Sequence, residues 1–422
     1  MGPIRPSSTH NAGVRLPPPS SRRSSTPLLT ALCLGVATSM VLAGCSNGVT
    51  SGTGSVSTPK PDNSLVAVAA EPSARVLFAP GDPEAGIAPD EKLKVLAAGG
   101  RLTDVSVKGP DGAAVAGAFS ADGSVWTSAS GPLDFGASYS ATATATDAQG
   151  RTSTARSQFQ VRNPDLLKAT FGVGGGKTVG IGMPVIVRFN RTPSDQAAVE
   201  RALSVQSSPA ITGSWAWISP REVHWRPKNY WAAGTEVTVR ADLEDVAVGN
   251  DQWGAASTQT SFRIGGATIY RVGVDTRQMQ VIQNGKLVRT IPITTGKAGF
   301  LTRNGVKVIM SKERYRVMDS TTIDIPAGSR DSYRLKVEYA MRLTNSGEFM
   351  HAAPWSVGSQ GRRNVSHGCT GMSTGNAKWL YSIAKLGDVV EYTGSPRPMT
   401  LANGYGDWNL TWDAWTGKSA LT

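Results

Sequence analysis

Charged side chains are scarce in this chain of 422 residues. Asp, Glu, Lys and Arg make up 18% of it, whereas it holds 47 glycines and 25 prolines. This composition is typical of turn-rich β-modules rather than helical bundles, and the length predicts two to four domains. No Lys/Arg cluster is interleaved with aromatic residues, so the net charge of +12 does not indicate a nucleic-acid partner. A basic surface instead favours wall polymers or phospholipid headgroups.

The chain also has only three cysteines, and its amino-terminal segment accounts for two of them. Residues 28–43 form an apolar run with the length of a signal-peptide core, too short and too rich in small residues for a membrane span. The run ends in the sequence LAGC at 42–45, which resembles the bacterial lipobox. We therefore predict a lipoprotein signal peptide at residues 1–44, lipidation of Cys45 and export to the outer face of the plasma membrane. An ordinary signal peptide and an uncleaved anchor are the alternatives.

Export leaves one cysteine to explain. Cys33 is removed with the signal peptide and Cys45 carries lipid, so Cys369 has no intramolecular disulfide partner. A single cysteine in an exported protein is either a buried, inert residue or a reactive thiol.

Residues 45–64 are rich in Gly, Ser, Thr and Pro, which predicts a flexible tether. Two β-modules follow, because alternating runs at 139–145 and 237–241 each lead to a turn and a strand of the form Phe-x-Val or Phe-x-Ile. The repeat predicts two Ig-like domains, at 65–162 and 163–265. Neither contains cysteine, which excludes the antibody-type disulfide.

The second module holds four tryptophans: Trp215, Trp217, Trp225 and Trp231. They could form a sugar-binding face, but packing in a core or between domains is the favoured interpretation. His224 lies beside Trp225, and we interpret it as a packed or surface residue rather than a ligand.

The sequence pattern of residues 266–394 predicts a third domain, again composed mostly of β-strands. Asn284-Gly285 between alternating runs is a strong hairpin signal, and residues 376–386 are the one helical pattern in the domain. The tail at 395–422 carries Trp408, Trp412 and Trp415, a spacing that predicts one stripe of a short helix docked onto the third domain.

Two of the three histidines expected in the mature chain lie close before Cys369, at His351 and His367. A thiol needs a base or a positive neighbour to become a thiolate, and His is suited to that task. Gly368 and Gly371 flank the cysteine, and a glycine-rich backbone can turn its N–H groups toward a developing oxyanion. The residues therefore predict a Cys–His acyl-transfer site.

Three other interpretations stay open on the residues alone. Cys369 could be a buried structural residue, or could form a zinc site with His351 and His367, although His-Gly-Cys is an unusual ligand spacing. It could also belong to another class of exported cysteine enzyme. Papain-like wall peptidases place the cysteine before the histidine, and sortases need an Arg after the cysteine, whereas Arg397 lies far along the chain.

His351, fourteen intervening residues and the sequence SHGC at 366–369 resemble the L,D-transpeptidase signature. The match extends to APWSVG at 353–358 and GDWN at 406–409. The order of lipobox, two Ig-like modules, β-rich catalytic domain and Trp-bearing tail is similar to that of mycobacterial L,D-transpeptidases, which have a YkuD-type catalytic domain. The resemblance implies a peptidoglycan enzyme that needs no cofactor and no metal.

The resemblance also implies a mechanism. The Cys369 thiolate attacks the amide between meso-diaminopimelate and D-Ala in a tetrapeptide stem, D-Ala leaves, and the amine of a neighbouring diaminopimelate resolves the thioester into a 3→3 cross-link. His351 is the implied general base, oriented by the backbone carbonyl of Ala352. Backbone N–H groups near Gly368 and Cys369 are the implied oxyanion donors, and His367 supports the site.

Further positions around the substrate pocket are implied by the same resemblance. Tyr333, Ser346 and Gly347 match residues that the family uses around the pocket, and Met318 and Trp355 match its walls. Carbapenems are the implied covalent inhibitors.

The chain departs from the family pattern at two positions. Gly371 stands where the family usually has Asn, and Ala352 stands where Ser is common. The loss of the Asn amide leaves two alternatives to a working transpeptidase: a catalytically weakened wall-binding lipoprotein, and a variant that uses water or a protein amine as its acceptor, which would be a carboxypeptidase or a protein-anchoring enzyme.

Overall fold

The computed structural model describes residues 71–80, 86–129 and 131–422. Strands dominate these residues, which confirms the prediction of a mainly β fold. The predicted signal peptide at 1–44, the tether at 45–64 and the lipidation site Cys45 lie outside the described residues. In the described part of the chain, no helix is long and apolar enough to cross a membrane.

The first Ig-like unit is built from two sheets. Its strands are β1 (Arg75–Ala79), β2 (Lys94–Ala98), β3 (Arg101–Lys108), β4 (Gly117–Phe119), β5 (Val125–Ser128), β6 (Ser138–Thr146) and β7 (Thr152–Gln160). The sheet orders are β1-β2-β5-β4 and β3-β6-β7. Ala141, Ala143 and Ala145 alternate along β6 and share a core with Trp126 of the other sheet, as the period-2 pattern predicts.

The second Ig-like unit has sheets of order β10-β17-β15-β12 and β13-β14-β11-β9, with β16 paired to β8. Its elements are β8 (Asp165–Leu167), β9 (Ala169–Phe171), β10 (Lys177–Val179), β11 (Val185–Phe189), helix α1 (Gln196–Arg201), β12 (Leu203–Ser208), β13 (Gly213–Ser219), β14 (Glu222–Pro227), β15 (Glu236–Ala241), β16 (Gln252–Gly254) and β17 (Thr258–Ile264). Trp215, Trp225 and Trp231 are buried in the core and Trp217 packs against it. The packing interpretation of these tryptophans is therefore confirmed.

The third unit contains a five-stranded sheet of order β20-β19-β18-β26-β21 and a four-stranded sheet of order β22-β23-β24-β25. The strands are β18 (Thr268–Gly273), β19 (Gln278–Gln283), β20 (Lys286–Pro292), β21 (Gly305–Val308), β22 (Ser311–Asp319), β23 (Arg334–Arg342), β24 (Phe349–Ala352), β25 (Thr370–Met372) and β26 (Val389–Thr393). Helix α2 (Thr374–Ile383) packs against the second sheet. Short 3₁₀ helices lie at Ser320–Ile323 and Pro354–Ser359.

Local sequence signals in this unit have the predicted structural outcome. Asn284 and Gly285 join β19 to β20 with φ of 48° and 79°, the left-handed backbone that a two-residue hairpin turn requires. The helix begins two residues earlier than predicted because Ser373 caps it, accepting from the N–H of Asn376. It ends earlier as well, where the Lys312 ammonium binds two carbonyls of its last turn and the chain becomes extended.

The tail contains a 3₁₀ helix at Asp407–Asn409 and helix α3 (Trp412–Thr416). Its tryptophan stripe docks onto the second Ig-like unit rather than the third, so the predicted position of the stripe was wrong, although Asn409 of the same tail bonds to Val306 of the third unit. Trp415 is fully buried and donates its indole N–H to the Ser214 carbonyl at 2.9 Å. The Arg226 guanidinium lies 4.6–5.4 Å from the ring centroids of Trp408, Trp412 and Trp415. This cationic side chain in the second unit attracts the aromatic faces.

The second and third units share backbone contacts. The N–H groups of Gly180 and Gly182 donate to the carbonyls of Leu386 and Gly387 at 2.7 and 2.8 Å. A Cβ at Gly180 would lie 2.3 Å from the Asp388 nitrogen, so only glycine permits this approach. Val389 of β26 also belongs to the core of the second unit. The catalytic candidate residues therefore stand on a unit held rigidly by its neighbour.

Candidate active site

The site is built on the parallel pairing of β24 with β25. His351 lies in β24 and is aligned with Gly371 in β25, while Cys369 immediately precedes β25. Gly371 is also bridged on its other side to Thr294, with two backbone hydrogen bonds of 2.9 Å. Residues fifteen or more positions apart in the sequence are thus fixed beside one another by backbone ladders rather than by mobile loops.

A cavity of about 330 Å³ opens beside these strands. Seven of the predicted site residues line it: Met318, Tyr333, His351, Trp355, His367, Cys369 and Gly371. Gly347 lines a smaller cavity of about 100 Å³ that shares Met318 and Tyr333 with the first. Ser346, Ala352 and Gly368 do not line the main cavity, and each makes hydrogen bonds with neighbouring residues.

His351 is held in one tautomer by its neighbour's backbone. Its Nδ1 donates to the Ala352 carbonyl at 2.8 Å, the contact that the family resemblance implied. Nε2 is then the nitrogen that can accept a proton. Burial lowers the pKa of the imidazole below its ordinary value of 6.5, so the ring is neutral at neutral pH.

The surroundings of Cys369 favour the thiol over the thiolate. Burial raises its pKa to about 11, and the charges of Lys307 and Arg342 only partly oppose this. The thiol donates to the Gly347 carbonyl, with 3.6 Å between Sγ and the oxygen. Within the described ranges no hydrogen bond joins Cys369 to His351, although both line the main cavity. Burial of both groups therefore favours a neutral Cys–His pair.

The backbone N–H and carbonyl groups of Gly368 both take part in hydrogen bonds. Its N–H donates to the Ser366 hydroxyl at 3.1 Å, and its carbonyl accepts from Thr302 at 2.8 Å. The Ser366 hydroxyl in turn donates to the Cys369 carbonyl at 2.6 Å. These bonds, with a φ of 122° that suits glycine, fix the turn that presents the cysteine.

His367 lies in the cavity wall between two aromatic rings. Its ring centroid is 4.6 Å from that of Phe300 and 4.9 Å from that of Tyr333. Asp331 lies 3.5 Å from its Nε2. Burial and the charge of Lys297 lower the pKa of the imidazole below its ordinary value. Its contacts are those of a wall residue, and a direct hydrogen bond to Cys369 is not among them in the described structure.

Gly371 lines the cavity, but a Cβ at this position would be crowded by two neighbouring side chains. A Cβ at this position would lie 2.9 Å from Ala353 Cβ and 3.1 Å from Thr294 Cγ2. The Gln360 amide lies one layer behind, donating to the Ala353 carbonyl at 3.1 Å. A side chain at residue 371 would therefore require Ala353 or Thr294 to shift.

Comparison with known proteins gives the family. The model of the L,D-transpeptidase catalytic domain matches residues 268–391, and a bacterial Ig domain model matches residues 84–247. L,D-transpeptidase 2 of Mycobacterium tuberculosis is 36% identical over 80% of this chain and 83% of its own length. The chain belongs to the L,D-transpeptidase family. L,D-transpeptidase 5 of Mycobacterium tuberculosis is 34% identical over 96% of this chain and 86% of its own. A solved structure of LD transpeptidase LdtMt1 in complex with imipenem is 37% identical over 55% of this chain and 99% of its own, with a TM-score of 0.48.

This L,D-transpeptidase is thus an enzyme with Ig-like units, as its sequence indicated. The catalytic-domain match contains the three predicted catalytic side chains, His351, His367 and Cys369. In the described residues, no group of three or more His, Cys, Asp or Glu side chains could hold a metal ion.

One part of the L,D-transpeptidase site was missed by sequence reasoning. Lys307 is fully buried, 2.5 Å from Glu348 Oε2, while Arg303 binds the other oxygen of the same carboxylate at 3.0 Å. Burial lowers the pKa of the Lys307 ammonium to about 8. Its Nζ also lies 3.6 Å from the Tyr392 ring centroid. A lysine in an alternating strand is ordinarily predicted to face solvent, so no local signal revealed this cluster.

Proposed function

We propose that this L,D-transpeptidase uses Cys369 as its nucleophile to form 3→3 cross-links between peptidoglycan stems. The observation that carries the proposal is the cavity wall, to which β24 contributes the neutral His351 ring and the residue preceding its partner β25 contributes the Cys369 thiol. An apolar pocket with few polar groups is the usual form of a site that orients a substrate for a single bond change.

In the proposed reaction the Cys369 proton moves as its sulfur attacks. A thiol with a pKa of about 11 carries little thiolate at neutral pH, so His351 Nε2 takes the proton during attack on the amide carbonyl of the donor stem. The imidazolium then gives this proton to the departing D-Ala nitrogen, which leaves a thioester on Cys369. The diaminopimelate amine of a second stem attacks that thioester, and the thiol is restored.

The fixed tautomer of His351 supports this role. Because Nδ1 is committed to the Ala352 carbonyl, the lone pair is on Nε2, and the same hydrogen bond persists when the ring becomes positively charged. Ala352 acts through its carbonyl, so the absence of the Ser that is common in the family leaves this contact intact.

We also propose that the protein acts outside the plasma membrane, anchored by lipid on Cys45 and facing the cell wall. The sequence LAGC at 42–45, placed at the end of an apolar run, supports this proposal. The proposal is tested by cell fractionation and analysis of the membrane fraction. The Cys45→Ala variant should lose the lipid mass and appear in the soluble exported fraction.

The nucleophile is tested by mass spectrometry after incubation with a carbapenem. We expect one covalent adduct on the wild-type protein, located on Cys369, and no adduct on the Cys369→Ala variant. The adduct would also make carbapenems covalent inhibitors of this chain. An unmodified wild-type protein that releases no D-Ala from a tetrapeptide stem would contradict the proposal and favour a wall-binding role.

The acceptor is tested by product analysis. Incubation of tetrapeptide muropeptides with the enzyme should give a dimer joined between two diaminopimelate residues. Release of tripeptide without a dimer would instead identify water as the acceptor, and the enzyme as a carboxypeptidase. A stem attached to a protein amine would identify an anchoring enzyme.

A further inference from the structure

The turn between β23 and β24 holds the catalytic thiol from the side opposite its own strand. The Gly347 carbonyl in this turn accepts from the Cys369 thiol. The turn is closed by Thr344, whose hydroxyl accepts from the Glu348 N–H at 2.9 Å, and by the positive φ of 92° at Gly347. Any displacement of this turn therefore displaces the acceptor that fixes Sγ.

The carboxy-terminal tail forms hydrogen bonds with this turn. The Asn403 side-chain oxygen accepts from the Ser346 N–H at 2.9 Å, and its amide nitrogen donates to the Ser346 hydroxyl at 3.0 Å. Asn345 donates to the Ala402 carbonyl at 3.2 Å. One side chain of the tail thus binds both the backbone and the side chain of the residue that precedes Gly347.

The backbone of the tail is pressed against the same turn. Gly404 has a φ of 101°, and a Cβ there would lie 2.7 Å from Met310 Sδ and 3.2 Å from the Leu343 carbonyl oxygen. Only glycine fits between these groups without a shift. These close contacts therefore hold the main chain next to Asn403 against the residues at the end of β23.

On its other side the tail is attached to the second Ig-like unit. Asp407 lies 2.6 Å from His224 of the second Ig-like unit, and both side chains are 1% exposed. Trp408 donates its indole N–H to the Gly182 carbonyl at 2.8 Å. Asn403, four residues before Asp407, is thus attached to a buried anchor, whereas Ser346 belongs to a surface turn.

We propose that Asn403 is a positioning residue for acyl transfer, acting through the Ser346–Gly347 turn on the Cys369 thiol. The side chain of Asn403 touches neither the substrate cavity nor the cysteine. It keeps the Gly347 carbonyl at the distance that aligns Sγ for attack. The inference rests on the proposed role of Cys369 as nucleophile, and it gives the tail a part in catalysis in addition to its docking role.

The test compares three variants of the full protein. Asn403→Ala removes both bonds to Ser346. Asn403→Asp keeps an acceptor for the Ser346 N–H and accepts from the Ser346 hydroxyl. Asn190→Ala is the matched control, because Asn190 also makes two side-chain bonds, to the Lys168 N–H at 2.7 Å and the Leu166 carbonyl at 3.1 Å, but in the second Ig-like unit.

Two rates are measured at Cys369: acylation by a tetrapeptide donor or carbapenem, and alkylation by iodoacetamide across pH. Acylation needs alignment, and misplacement of about 1 Å can cost about 10²-fold, so we expect Asn403→Ala to acylate about tenfold more slowly. Iodoacetamide needs no such alignment, so its limiting rate at high pH, where the Cys369 thiol is ionised, should stay within about twofold of the wild type. The alkylation profile should inflect at a lower pH, because the acceptor that stabilises the protonated thiol is loosened.

Asn403→Asp should recover most of the acylation rate, and Asn190→Ala should match the wild type in both rates. The inference is overturned if Asn403→Ala acylates like the wild type, if Asn190→Ala slows acylation equally, or if Asn403→Asp is as slow as Asn403→Ala. A wild type that is not acylated at all would overturn the proposed function. The shift in the alkylation profile would then still show whether Asn403 acts on the Cys369 thiol through the Ser346–Gly347 turn, since alkylation needs no turnover.

Discussion

At Cys369 two electrostatic effects oppose each other, and burial is the larger. Removal of the sulfur from water raises its pKa, while the Phe349 N–H and the charges of Lys307 and Arg342 lower it, with a result of about 11. The nearby Glu348 carboxylate weakens the cationic contribution. Burial therefore favours the protonated form of Cys369 at neutral pH, and in the proposed reaction this proton leaves during attack on the substrate.

This state predicts two different pH profiles. Alkylation of Cys369 by a small reagent should rise with pH up to an inflection near 11, because only the thiolate reacts. Acyl transfer should instead be limited on its acid side by His351, whose pKa lies below 6.5, so activity should persist at pH 6.5 and fall in more acid solution.

Replacing His351 separates the two profiles. His351→Gln should lower the acylation rate by about 10²–10⁴-fold and remove its acid limb, while alkylation at high pH remains. Stopped-flow acylation and alkylation followed by mass spectrometry supply both profiles. An acylation rate in His351→Gln equal to that of the wild type would show that another group accepts the Cys369 proton.

At the scale of elements, the crowded position of Gly371 follows from the pairing of three segments. It is bridged to Thr294 and aligned with His351, so its hydrogen faces side chains that cannot move without shifting a strand. A larger residue at position 371 would place its Cβ against Ala353 and Thr294, so glycine suits this pairing.

We predict that Gly371→Ala destabilises the protein by about 1–3 kcal/mol, the ordinary cost of overpacking a core. The new Cβ would lie 2.9 Å from Ala353 Cβ, so the double variant with Ala353→Gly should recover most of the loss. Urea unfolding gives both values. Gly375→Ala is the control, because a Cβ there meets nothing within 4 Å. If Gly371→Ala and the wild type unfold at the same urea concentration, the neighbouring segments shift to accommodate the new Cβ, and the prediction is wrong.

Sequence reasoning predicted the elements whose signals are local. The hairpin at Asn284-Gly285, the helix after Ser373 and the alternating strands of both Ig-like units follow from neighbouring residues. The site residues were predicted because His351 and Cys369 belong to one short motif. The buried Lys307–Glu348 pair and the Asn403 contact were missed, since each joins distant segments and neither residue type marks the sequence.

At the scale of the whole molecule, a buried ionic cluster joins the second Ig-like unit to the tail. His224 lies between two carboxylates, 2.6 Å from both Asp407 and Glu222, and Glu222 also binds Arg188 at 2.7 Å. The ring of Tyr405 packs edge-on to the imidazole. His224 and Asp407 are 183 residues apart, so the sequence showed only a histidine beside a tryptophan. The interpretation of His224 as a packed residue is confirmed, but the sequence did not predict a positive charge on its imidazole.

This cluster has a defined pH window. The two carboxylates overcome the effect of burial and raise the pKa of His224 to about 9 from an ordinary 6.5, so its contribution to stability is full below pH 6.5 and is lost as pH rises through 9. Hydrogen bonds and the charges of His224 and Arg188 lower the pKa of Glu222 to about 2 from 4.5, so that contribution is present above pH 4.5 and is lost as pH falls through 2. The cluster should stabilise the interface most between pH 4.5 and 6.5.

The His224→Gln variant tests this window. Removing the cation leaves the buried Asp407 carboxylate without this partner, whereas the partly exposed Glu222 keeps Arg188, so we expect a loss of about 3–5 kcal/mol in the free energy of unfolding at pH 6. The loss should shrink at pH 9, where the wild-type imidazole is itself losing its proton. Urea unfolding followed by tryptophan fluorescence reports on this interface, which contains Trp408 and Trp415. His224→Gln combined with Asp407→Asn is the control, since it removes both charges and should recover stability. An equal loss at pH 6 and pH 9 would mean that His224 is neutral in the folded protein.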